Sequence, residues 1–123
     1  MVVGIIPARI GSKRFPKKIL ADIGGKPMIA HVAERALEAE MLDKVIIAID
    51  SEETKSALSS YKFDMVMTDV RHSSGTDRVS EVAKTIDKAE IIINIQGDEP
   101  LLDPRTIDEL VRLLMIQVFQ WQL

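Results

Sequence analysis

Short apolar runs alternate with amphipathic stretches along the 123 residues of the chain. The apolar runs are rich in Val, Ile or Met and are bounded by polar residues, a pattern typical of strands buried on both faces. They span 2–7, 45–49, 65–68 and 90–96. Apolar residues at helical spacing predict helices from Pro27 onward, from a Ser51 cap to about Tyr61, from Thr76 to Ile86 and from Pro104 onward. This alternation predicts an α/β protein whose parallel sheet carries helices on both faces.

Two of the predicted helices have a well-defined apolar face. Pro27 suits a first helical turn, and the helix that follows has one apolar side made of Met28, Ile29, Val32, Ala33, Ala36 and Leu37. The last helix has a stripe made of Ile107, Leu110, Val111 and Leu114. We expect both faces to pack against the sheet. Residues 115–123 mix Gln with Val, Phe and Trp without clear periodicity, so no element is predicted there.

The loop after the first strand is dense in positive charge. Residues 7–20, Pro-Ala-Arg-Ile-Gly-Ser-Lys-Arg-Phe-Pro-Lys-Lys-Ile-Leu, contain five cations, a glycine and a serine. In parallel sheets, ligands bind at the carboxyl ends of the strands, where this loop begins. Accessible backbone N–H groups and cationic side chains are what a triphosphate requires, although a solvated basic turn has the same composition. The segment is not a Walker loop, because no Gly-Lys-Ser/Thr sequence closes it.

The overall composition narrows the ligand class and the compartment. The length and the 46% hydrophobic content fit one compact domain. With 16 basic and 19 acidic residues, the net charge creates no electrostatic field that favours nucleic acid or an anionic membrane. An anionic ligand must therefore be bound by a local group of positive charges. The lack of cysteine excludes a disulfide framework, a thiolate metal site and a thiol nucleophile. No segment has the length of a membrane span or the pattern of an export signal, and a soluble cytoplasmic protein is expected.

Three further segments carry a family resemblance. They are Gly-Lys-Pro-Met-Ile-x-His-Val at 25–32, His-Ser-Ser-Gly-Thr-Asp-Arg at 72–78 and Asn-Ile-Gln-Gly-Asp-Glu-Pro at 94–100. Together with the basic loop, they resemble the 3-deoxy-manno-octulosonate cytidylyltransferases up to about Leu114, and the acylneuraminate cytidylyltransferases are looser cousins. The resemblance implies a three-layer Rossmann-like nucleotidyltransferase fold with a mainly parallel sheet, here in truncated form. Residues 1–114 would form its CTP-binding half, and residues 115–123 would be an atypical tail.

The same resemblance implies roles for individual residues. Those expected to bind the nucleotide are Ala8, Arg9, Gly11, Ser12, Lys18, Ser74, Gly75 and Thr76. The first five match the loop around the CTP triphosphate, and the last three match the segment beside the nucleoside. Asp98 matches a carboxylate that coordinates Mg²⁺, and Gln96 matches a residue that contacts the sugar acid. Arg9, Lys18 and Asp98 are the residues expected to take part in catalysis.

In the reaction of this family, the anomeric hydroxyl of the sugar acid attacks the α-phosphate of CTP, and pyrophosphate leaves. Mg²⁺ and the cationic side chains would stabilise the charge that develops on the phosphates. The implied partners are CTP and a 3-deoxy sugar acid, with no nucleic acid and no membrane, and the implied setting is lipopolysaccharide biosynthesis. Members of the family are homodimers about twice as long as this chain, so most of the dimer interface is missing here.

Several of these residues also have a purely structural interpretation. Asp98 can cap a turn, and Thr76 with Asp77 can cap a helix and give it an acidic first turn. His72 is interpreted as a loop residue, with a nucleotide contact as the second possibility. His31 is interpreted as a surface residue on the polar side of its helix.

Departures from the family pattern leave more than one function open. Lys17 stands where glycine is frequent in the family. The second metal-binding Asp of the family belongs to the missing half, and only Asp50 and Asp103 lie near strand ends as replacements. The chain is therefore interpreted as a partial cytidylyltransferase. The alternatives are a non-catalytic CTP-binding fragment and a related acylneuraminate-type nucleotidyltransferase.

Overall fold

The computed structural model describes residues 1–11 and 17–122. In chain order, the elements are β1 (Val2–Ala8), a 3-10 helix (Lys18–Leu20), β2 (Asp22–Ile23), β3 (Lys26–Pro27), α1 (Met28–Leu37), β4 (Lys44–Ile49), α2 (Glu52–Ala57), β5 (Asp64–Met67), α3 (Gly75–Ala83), β6 (Ile91–Asn94) and α4 (Pro104–Gln122). The strands β2 and β3 form a short antiparallel ribbon, and the other strands form the main sheet. Among the helices described, none has both the length and the apolar character needed to cross a bilayer.

The main sheet has β1 in its interior. Its strand order is β5-β4-β1-β6, and every pairing is parallel. Ile5 of β1 is in register with Ile46 on one side and with Asn94 on the other. Because β4 and β6 lie on opposite sides of β1, the strand order reverses there and opens a crevice at the carboxyl ends of β1 and β6. The predicted parallel α/β sheet is confirmed.

Helices cover both faces of this sheet. Successive residues of a strand point to opposite faces, so Ile6 joins a core with α1 and α4, whereas Ile5 joins a second core with α3. Val79 and Val82 are the residues of α3 buried in that second core. Burying a side chain of this kind contributes about 1.5–3 kcal/mol, and these contacts hold the helices at fixed positions on the sheet. The three-layer architecture is confirmed.

The apolar face predicted for α1 is largely confirmed. Its buried residues are Ile29, Ala30, Val32, Ala33 and Ala36. Leu37, however, is exposed, so its assignment to this face was wrong. It is the last residue of the helix and borders a surface cavity instead of the core.

The stripe predicted for α4 is correct at its centre and wrong at one position. Ile107 and Val111 are buried, but Leu110 is exposed. Asp108 is buried next to Ile107 instead, because its carboxylate accepts a hydrogen bond from the backbone N–H of Met41 at 2.7 Å. A carboxylate can occupy a buried position when backbone donors satisfy it.

The backbone of α4 continues to Gln122. The segment from residue 115 is therefore helical, although no element was predicted there. A helix that is already nucleated gains one hydrogen bond for each residue added, so it can extend through a segment that has no regular apolar stripe. The assignment of residues 115–123 to an atypical tail stays a prediction.

The start of α2 is fixed by its first polar side chain. Ser51 Oγ accepts a hydrogen bond from the N–H of Thr54 at 3.1 Å, which confirms Ser51 as the cap. The helix ends at Ala57, however, and not near Tyr61. The chain leaves the helix at Leu58, which is fully buried in the core with α1 and α4.

Candidate functional site

Two adjoining cavities open at the carboxyl edge of the sheet, in the crevice beside β1 and β6. Their volumes are about 220 and 180 Å³, and both are lined by Pro7, Arg9 and Gln96. The first, the basic cavity, is completed by Gly11, Lys18, Ile19, Gly97 and Asp98. The second, the helix cavity, is completed by Ser73, Ser74, Gly75 and Arg78.

Most of the site residues predicted from the sequence line these cavities. They are Arg9, Gly11, Lys18, Ser74, Gly75, Gln96 and Asp98. Ala8 is buried at the end of β1, and Thr76 lies in the first turn of α3 beside the helix cavity without lining it. Ser12 lies outside the described residues. The fold thus gathers residues that are distant in sequence at one edge of the sheet, while their roles in binding stay predictions.

Two glycines allow the backbone to pack closely around Pro7. A Cβ atom on Gly97 would lie 3.0 Å from the carbonyl oxygen of Pro7 and 3.1 Å from Ile29 Cδ1. A Cβ atom on Gly75 would lie 3.1 Å from Pro7 Cγ. Because glycine has no Cβ, the ends of β1 and β6 and the start of α3 can approach each other closely enough to form the shared wall of both cavities.

The helix cavity is built on the N-terminus of α3. Ser74 caps this helix, because its Oγ accepts a hydrogen bond from the N–H of Asp77 at 3.1 Å. The cap is therefore Ser74, and the interpretation of Thr76 as the cap was wrong. Asp77 lies in the first turn, where a negative charge interacts favourably with the helix dipole. The first N–H groups of a helix lack intrahelical acceptors, so this end of α3 offers donors to a ligand.

Lys18 and Asp98 form an exposed ion pair in the basic cavity. The Nζ and Oδ2 atoms are 3.3 Å apart, and the two side chains are 44% and 51% exposed. Ion pairs with this degree of exposure contribute only about 0–1 kcal/mol, because water solvates and screens both charges. Either side chain can therefore exchange its partner for a charged ligand at little cost in stability.

Lys17 closes the basic loop in a backbone conformation that favours glycine. Its φ and ψ are 57° and 31°, in the left-handed region that glycine adopts most readily. The N–H of Lys17 donates to the carbonyl of Ile10 at 3.0 Å. Its Nζ lies 2.8 Å from Glu53 Oε1 in the first turn of α2. The far end of the loop is thereby tied to its own beginning and to α2.

A buried ion pair lies beside the cavities. Asp50 and Arg78 are only 7% and 1% exposed, and Asp50 Oδ2 is 3.4 Å from Arg78 NH2. Asp50 Oδ1 accepts a hydrogen bond from the N–H of Ile10 at 3.0 Å. Arg78 NH1 donates to Thr68 Oγ1 at 2.5 Å and to the carbonyl of Asp69 at 3.0 Å.

This pair was missed by the sequence interpretation, which considered Asp50 only as a possible metal ligand. Both carboxylate oxygens of Asp50 are engaged inside the protein, one by the Ile10 N–H and the other by Arg78. A signal for Arg78 was present: it stands four residues before Val82, so it falls on the buried side of α3, where an apolar residue is expected. A charged residue at such a position needs a buried partner.

Asp103, the other replacement considered for the second metal-binding carboxylate, is also engaged elsewhere. Arg105 NH2 lies 2.9 Å from its Oδ2, and the hydrogen bond from the Arg105 side chain holds the pKa of Asp103 below its ordinary value. Within the described residues, no group of three or more His, Asp or Glu side chains is placed to hold a metal ion. Asp98 is the one carboxylate among the described residues that line the basic cavity.

The two histidines make contacts outside the two cavities. His72 lies in the loop before α3, with Nε2 2.7 Å from Glu81 Oε1, and the same Glu81 oxygen accepts a hydrogen bond from the N–H of Asp69 at 3.1 Å. The Asp69 N–H and, next, His72 lower the pKa of Glu81. His31 Nε2 lies 2.6 Å from the carbonyl oxygen of Ile23. These positions agree with the structural interpretation of both residues.

Comparison with known proteins extends over nearly the whole chain. A family model described as Cytidylyltransferase matches residues 3–119, somewhat beyond the limit of the resemblance at Leu114. The 3-deoxy-manno-octulosonate cytidylyltransferase of Solibacter usitatus is 53% identical over 110 residues, which are 89% of this chain and 43% of the relative. That of Pelobacter propionicus is 50% identical over 114 residues, which are 93% of this chain and 44% of the relative.

Solved structures agree with the sequence relatives. The structure of a CMP:2-keto-3-deoxy-manno-octonic acid synthetase complexed with CTP matches with a TM-score of 0.89 and 44% identity over 93% of this chain and 47% of that chain. A cytidylyltransferase from Leptospira borgpetersenii matches with a TM-score of 0.76 and 26% identity over 91% of this chain and 48% of that chain. The chain thus spans less than half the length of each of these relatives. The extent of the family match, on a fold that the same relatives share, shows that the chain belongs to the cytidylyltransferase family.

Proposed function

We propose that this chain is the CTP-binding part of a 3-deoxy-manno-octulosonate cytidylyltransferase, which transfers CMP from CTP to the sugar acid and releases pyrophosphate. The observation that carries the proposal is the pair of adjoining cavities that share Arg9 and Gln96. One cavity is rich in cationic groups and the other is built on a helix N-terminus. A nucleotide has the same division into an anionic part and a polar base. The names of the relatives point to CTP and to the sugar acid.

The triphosphate is assigned to the basic cavity. Arg9 and Lys18 line it and offer guanidinium and ammonium donors to phosphate oxygens. Gly11 contributes open space, since a Cβ atom there would meet nothing within 4 Å among the described residues. We assign further backbone contacts to Ala8 and a hydroxyl contact to Ser12, as the family resemblance implies.

The nucleoside is assigned to the helix cavity. Ser74 and Gly75 line it, and Thr76 follows in the first turn of α3. Because the Ser74 hydroxyl is used by the cap, the contacts left for a base are the first backbone N–H groups of the helix. A base carbonyl or ring nitrogen can accept hydrogen bonds from such donors.

Mg²⁺ is the metal we propose for this site. Mg²⁺ in nucleotide sites takes one or two carboxylates and completes its shell with phosphate oxygens and water. Asp98 fits this requirement, because it is half-exposed and lines the cavity assigned to the phosphates. When bound, the metal would offset negative charge on the phosphates. Lys18 would then turn from Asp98 to a phosphate oxygen.

The side chains of this chain would act on the reaction mainly by positioning. Arg9 and Lys18 would hold the phosphates and stabilise the charge that builds up as the bond to pyrophosphate breaks. Gln96, whose amide can both donate and accept hydrogen bonds, would contact the sugar acid from the shared wall of the cavities. Holding the attacking hydroxyl in line with the α-phosphorus can lower the barrier by about 7–11 kcal/mol in well-oriented systems.

The proposal is tested by base competition. We expect the chain with Mg²⁺ to bind CTP more tightly than UTP or ATP in isothermal titration calorimetry, and Arg9→Ala to weaken CTP binding by about 1.5–3 kcal/mol, the range for a contact to a charged group. Arg105→Ala is the matched control, because Arg105 is an exposed arginine paired with Asp103. Equal affinity for CTP and UTP would contradict the proposed function.

A non-catalytic fragment is the second candidate, and the acylneuraminate-type transferase is the third. The second is favoured by the presence of a single carboxylate among the described residues of the basic cavity and by coverage of less than half of each relative. A pyrophosphate-release assay, run beside a full-length relative, distinguishes an active enzyme from a non-catalytic fragment. We expect little turnover by this chain alone. Turnover equal to that of the relative would exclude the fragment. Replacing the octulosonate by an acylneuraminate tests the third candidate.

The assembly, the compartment and the pathway stay predictions of the family resemblance. We include a homodimer, a cytoplasmic location and a role in lipopolysaccharide biosynthesis in the proposal. Support for further association comes from α4, whose exposed apolar residues are Leu110, Leu113, Met115 and Ile116. A surface of this kind favours self-association or contact with more protein.

A further inference from the structure

The start of the basic loop is held through both backbone groups of one residue. The N–H of Ile10 donates to Asp50 Oδ1 at 3.0 Å, and its carbonyl accepts from the N–H of Lys17 at 3.0 Å. Ile10 directly follows Arg9, which lines both cavities. The position of Arg9 therefore depends on what holds Asp50.

Asp50 is held in turn by Arg78. The Arg78 guanidinium lies beside Asp50 Oδ2 and also donates to Thr68 Oγ1 and to the carbonyl of Asp69. Arg78 belongs to α3, one turn after the cap at Ser74. The ion pair thus connects the loop after β1 to the ends of β4 and β5 and to the N-terminus of α3.

We propose that Asp50 and Arg78 are positioning residues that hold the start of the basic loop, at Arg9 and Ile10, at a fixed distance from the N-terminus of α3. They would thereby couple the binding of the phosphate part and the nucleoside part of one ligand. This inference rests on the proposed function, because it assigns those two parts to the two cavities. A ligand that spans two subsites gains from both only when their spacing matches its own.

The burial of the pair supports a positional role. Replacing a buried ion pair by apolar residues of similar volume is often neutral or stabilising, so such a pair is weak support for a role in stability alone. Asp50 lines neither cavity, and a direct contact with the ligand is therefore not its role. Arg78 does line the helix cavity, which makes Asp50 the cleaner position for a test.

The test separates the affinity for the whole ligand from the affinities for its parts. The variant Asp50→Leu removes the partner of Arg78 and the acceptor of the Ile10 N–H, and it leaves every residue that lines the two cavities unchanged. We expect its affinity for CTP to fall about tenfold or more, within the range typical of coupling between sites, while its affinities for cytidine and for pyrophosphate each change less than about twofold. NMR titrations give all three constants in the presence of Mg²⁺.

The matched control is Asp108→Asn. Asp108 is an equally buried carboxylate that accepts hydrogen bonds from two backbone N–H groups, those of Glu40 and Met41, before the start of β4. We expect it to lower the stability of the fold without changing the ratio of CTP affinity to cytidine affinity. The inference is overturned if the folded Asp50→Leu variant binds CTP as the native chain does. It is also overturned if cytidine alone loses as much affinity as CTP, or if Asp108→Asn has the same effect on CTP.

A second measurement reads the positioning without any ligand. Hydrogen exchange of the Ile10 amide should accelerate at least about fivefold in Asp50→Leu/Arg78→Met, because its acceptor is lost, while the amides of α1 keep their protection. If the native chain binds CTP no better than UTP, the proposed function fails. The exchange measurement still tests whether Asp50 and Arg78 hold the Ile10 amide in place. Unchanged exchange at Ile10 would overturn the positioning role.

Discussion

Two ion pairs lie at the carboxyl edge of the sheet, one in the basic cavity and one beside the helix cavity, and they differ chiefly in their contact with water. The side chains of Asp50 and Arg78 are 4% and 1% exposed, whereas those of Lys18 and Asp98 are 44% and 51% exposed. Charges in a protein interior interact strongly, and a partner left alone there is very unfavourable. Charges at the surface are solvated and screened, so each can lose its partner with little effect.

The contrast divides the site into a part that must stay fixed and a part that must change. A buried pair with further hydrogen bonds to Ile10 and Thr68 keeps one geometry. An exposed pair offers two charged groups that can move to a ligand without loss of the fold. We therefore expect residues close together in space to contribute to binding in different ways, according to their burial.

The largest effect is expected when the buried pair is broken on one side. Asp50→Ala should lower the free energy of unfolding by about 3–5 kcal/mol, because the Arg78 charge stays buried without its partner. Urea denaturation followed by circular dichroism measures this change. Asp50→Leu/Arg78→Met should recover most of the loss. A loss below about 1 kcal/mol in Asp50→Ala would mean that this pair behaves like a surface pair.

A smaller effect, on binding instead of stability, is expected for the exposed pair. Lys18→Ala should weaken CTP binding by about 1.5–3 kcal/mol and change the free energy of unfolding by no more than about 0.5 kcal/mol. Calorimetric titration and urea denaturation provide the two values. Lys26→Ala is the matched control, because Lys26 and Glu34 form a pair with both side chains 43% exposed, outside the lining of both cavities. Equal loss of CTP affinity in both variants would remove Lys18 from the site.

The close approach of the ends of β1 and β6, in the wall shared by the two cavities, can be tested at Gly97. Gly97→Ala should destabilise the fold by about 1–3 kcal/mol, the usual range for overpacking, because the new Cβ would lie 3.0 Å from the Pro7 carbonyl oxygen. Gly11→Ala is the control, since its Cβ meets nothing within 4 Å among the described residues. Thermal unfolding compares the two variants. A stable Gly97→Ala would show that the ends of β1 and β6 can separate.

The smallest expected effect concerns pH and the half-buried Glu81. The Asp69 N–H and His72 lower the pKa of Glu81 below its ordinary value of 4.5. A carboxyl group with a lower pKa in the folded state stabilises the fold above its ordinary pKa and loses this contribution as the pH falls through the folded value. The stability difference between the native chain and Glu81→Gln should therefore be largest above pH 4.5 and shrink below it. A difference that grows with acidity would contradict this assignment.

Much of the fold and part of the site follow from local sequence patterns. The apolar run of β1, the cations that follow it and the Gln96 to Asp98 segment are each visible in a short window. A general rule about the carboxyl ends of parallel strands is then enough to bring them together.

The rest depends on contacts between distant segments. Asp50 and Arg78 belong to different elements, and neither has a local pattern that names the other. Leu110 is exposed while Asp108 is buried, because residues 40 and 41 supply two N–H donors to the carboxylate. Periodicity assigns each residue to a face of its helix, but it does not reveal which residues of other segments contact that face.

The interior place of β1 has a consequence for the order in which the molecule forms. β1 precedes β6 along the chain by more than 80 residues, yet Val2 pairs with Ile91 of β6. Parallel pairings between such distant segments form slowly, because the long connecting chain must be ordered before the contact is made. Arg9 therefore exists early in a nascent chain, whereas the wall that carries Gln96 and Asp98 arrives only when β6 docks. The two cavities are therefore complete only after β6 has docked against β1.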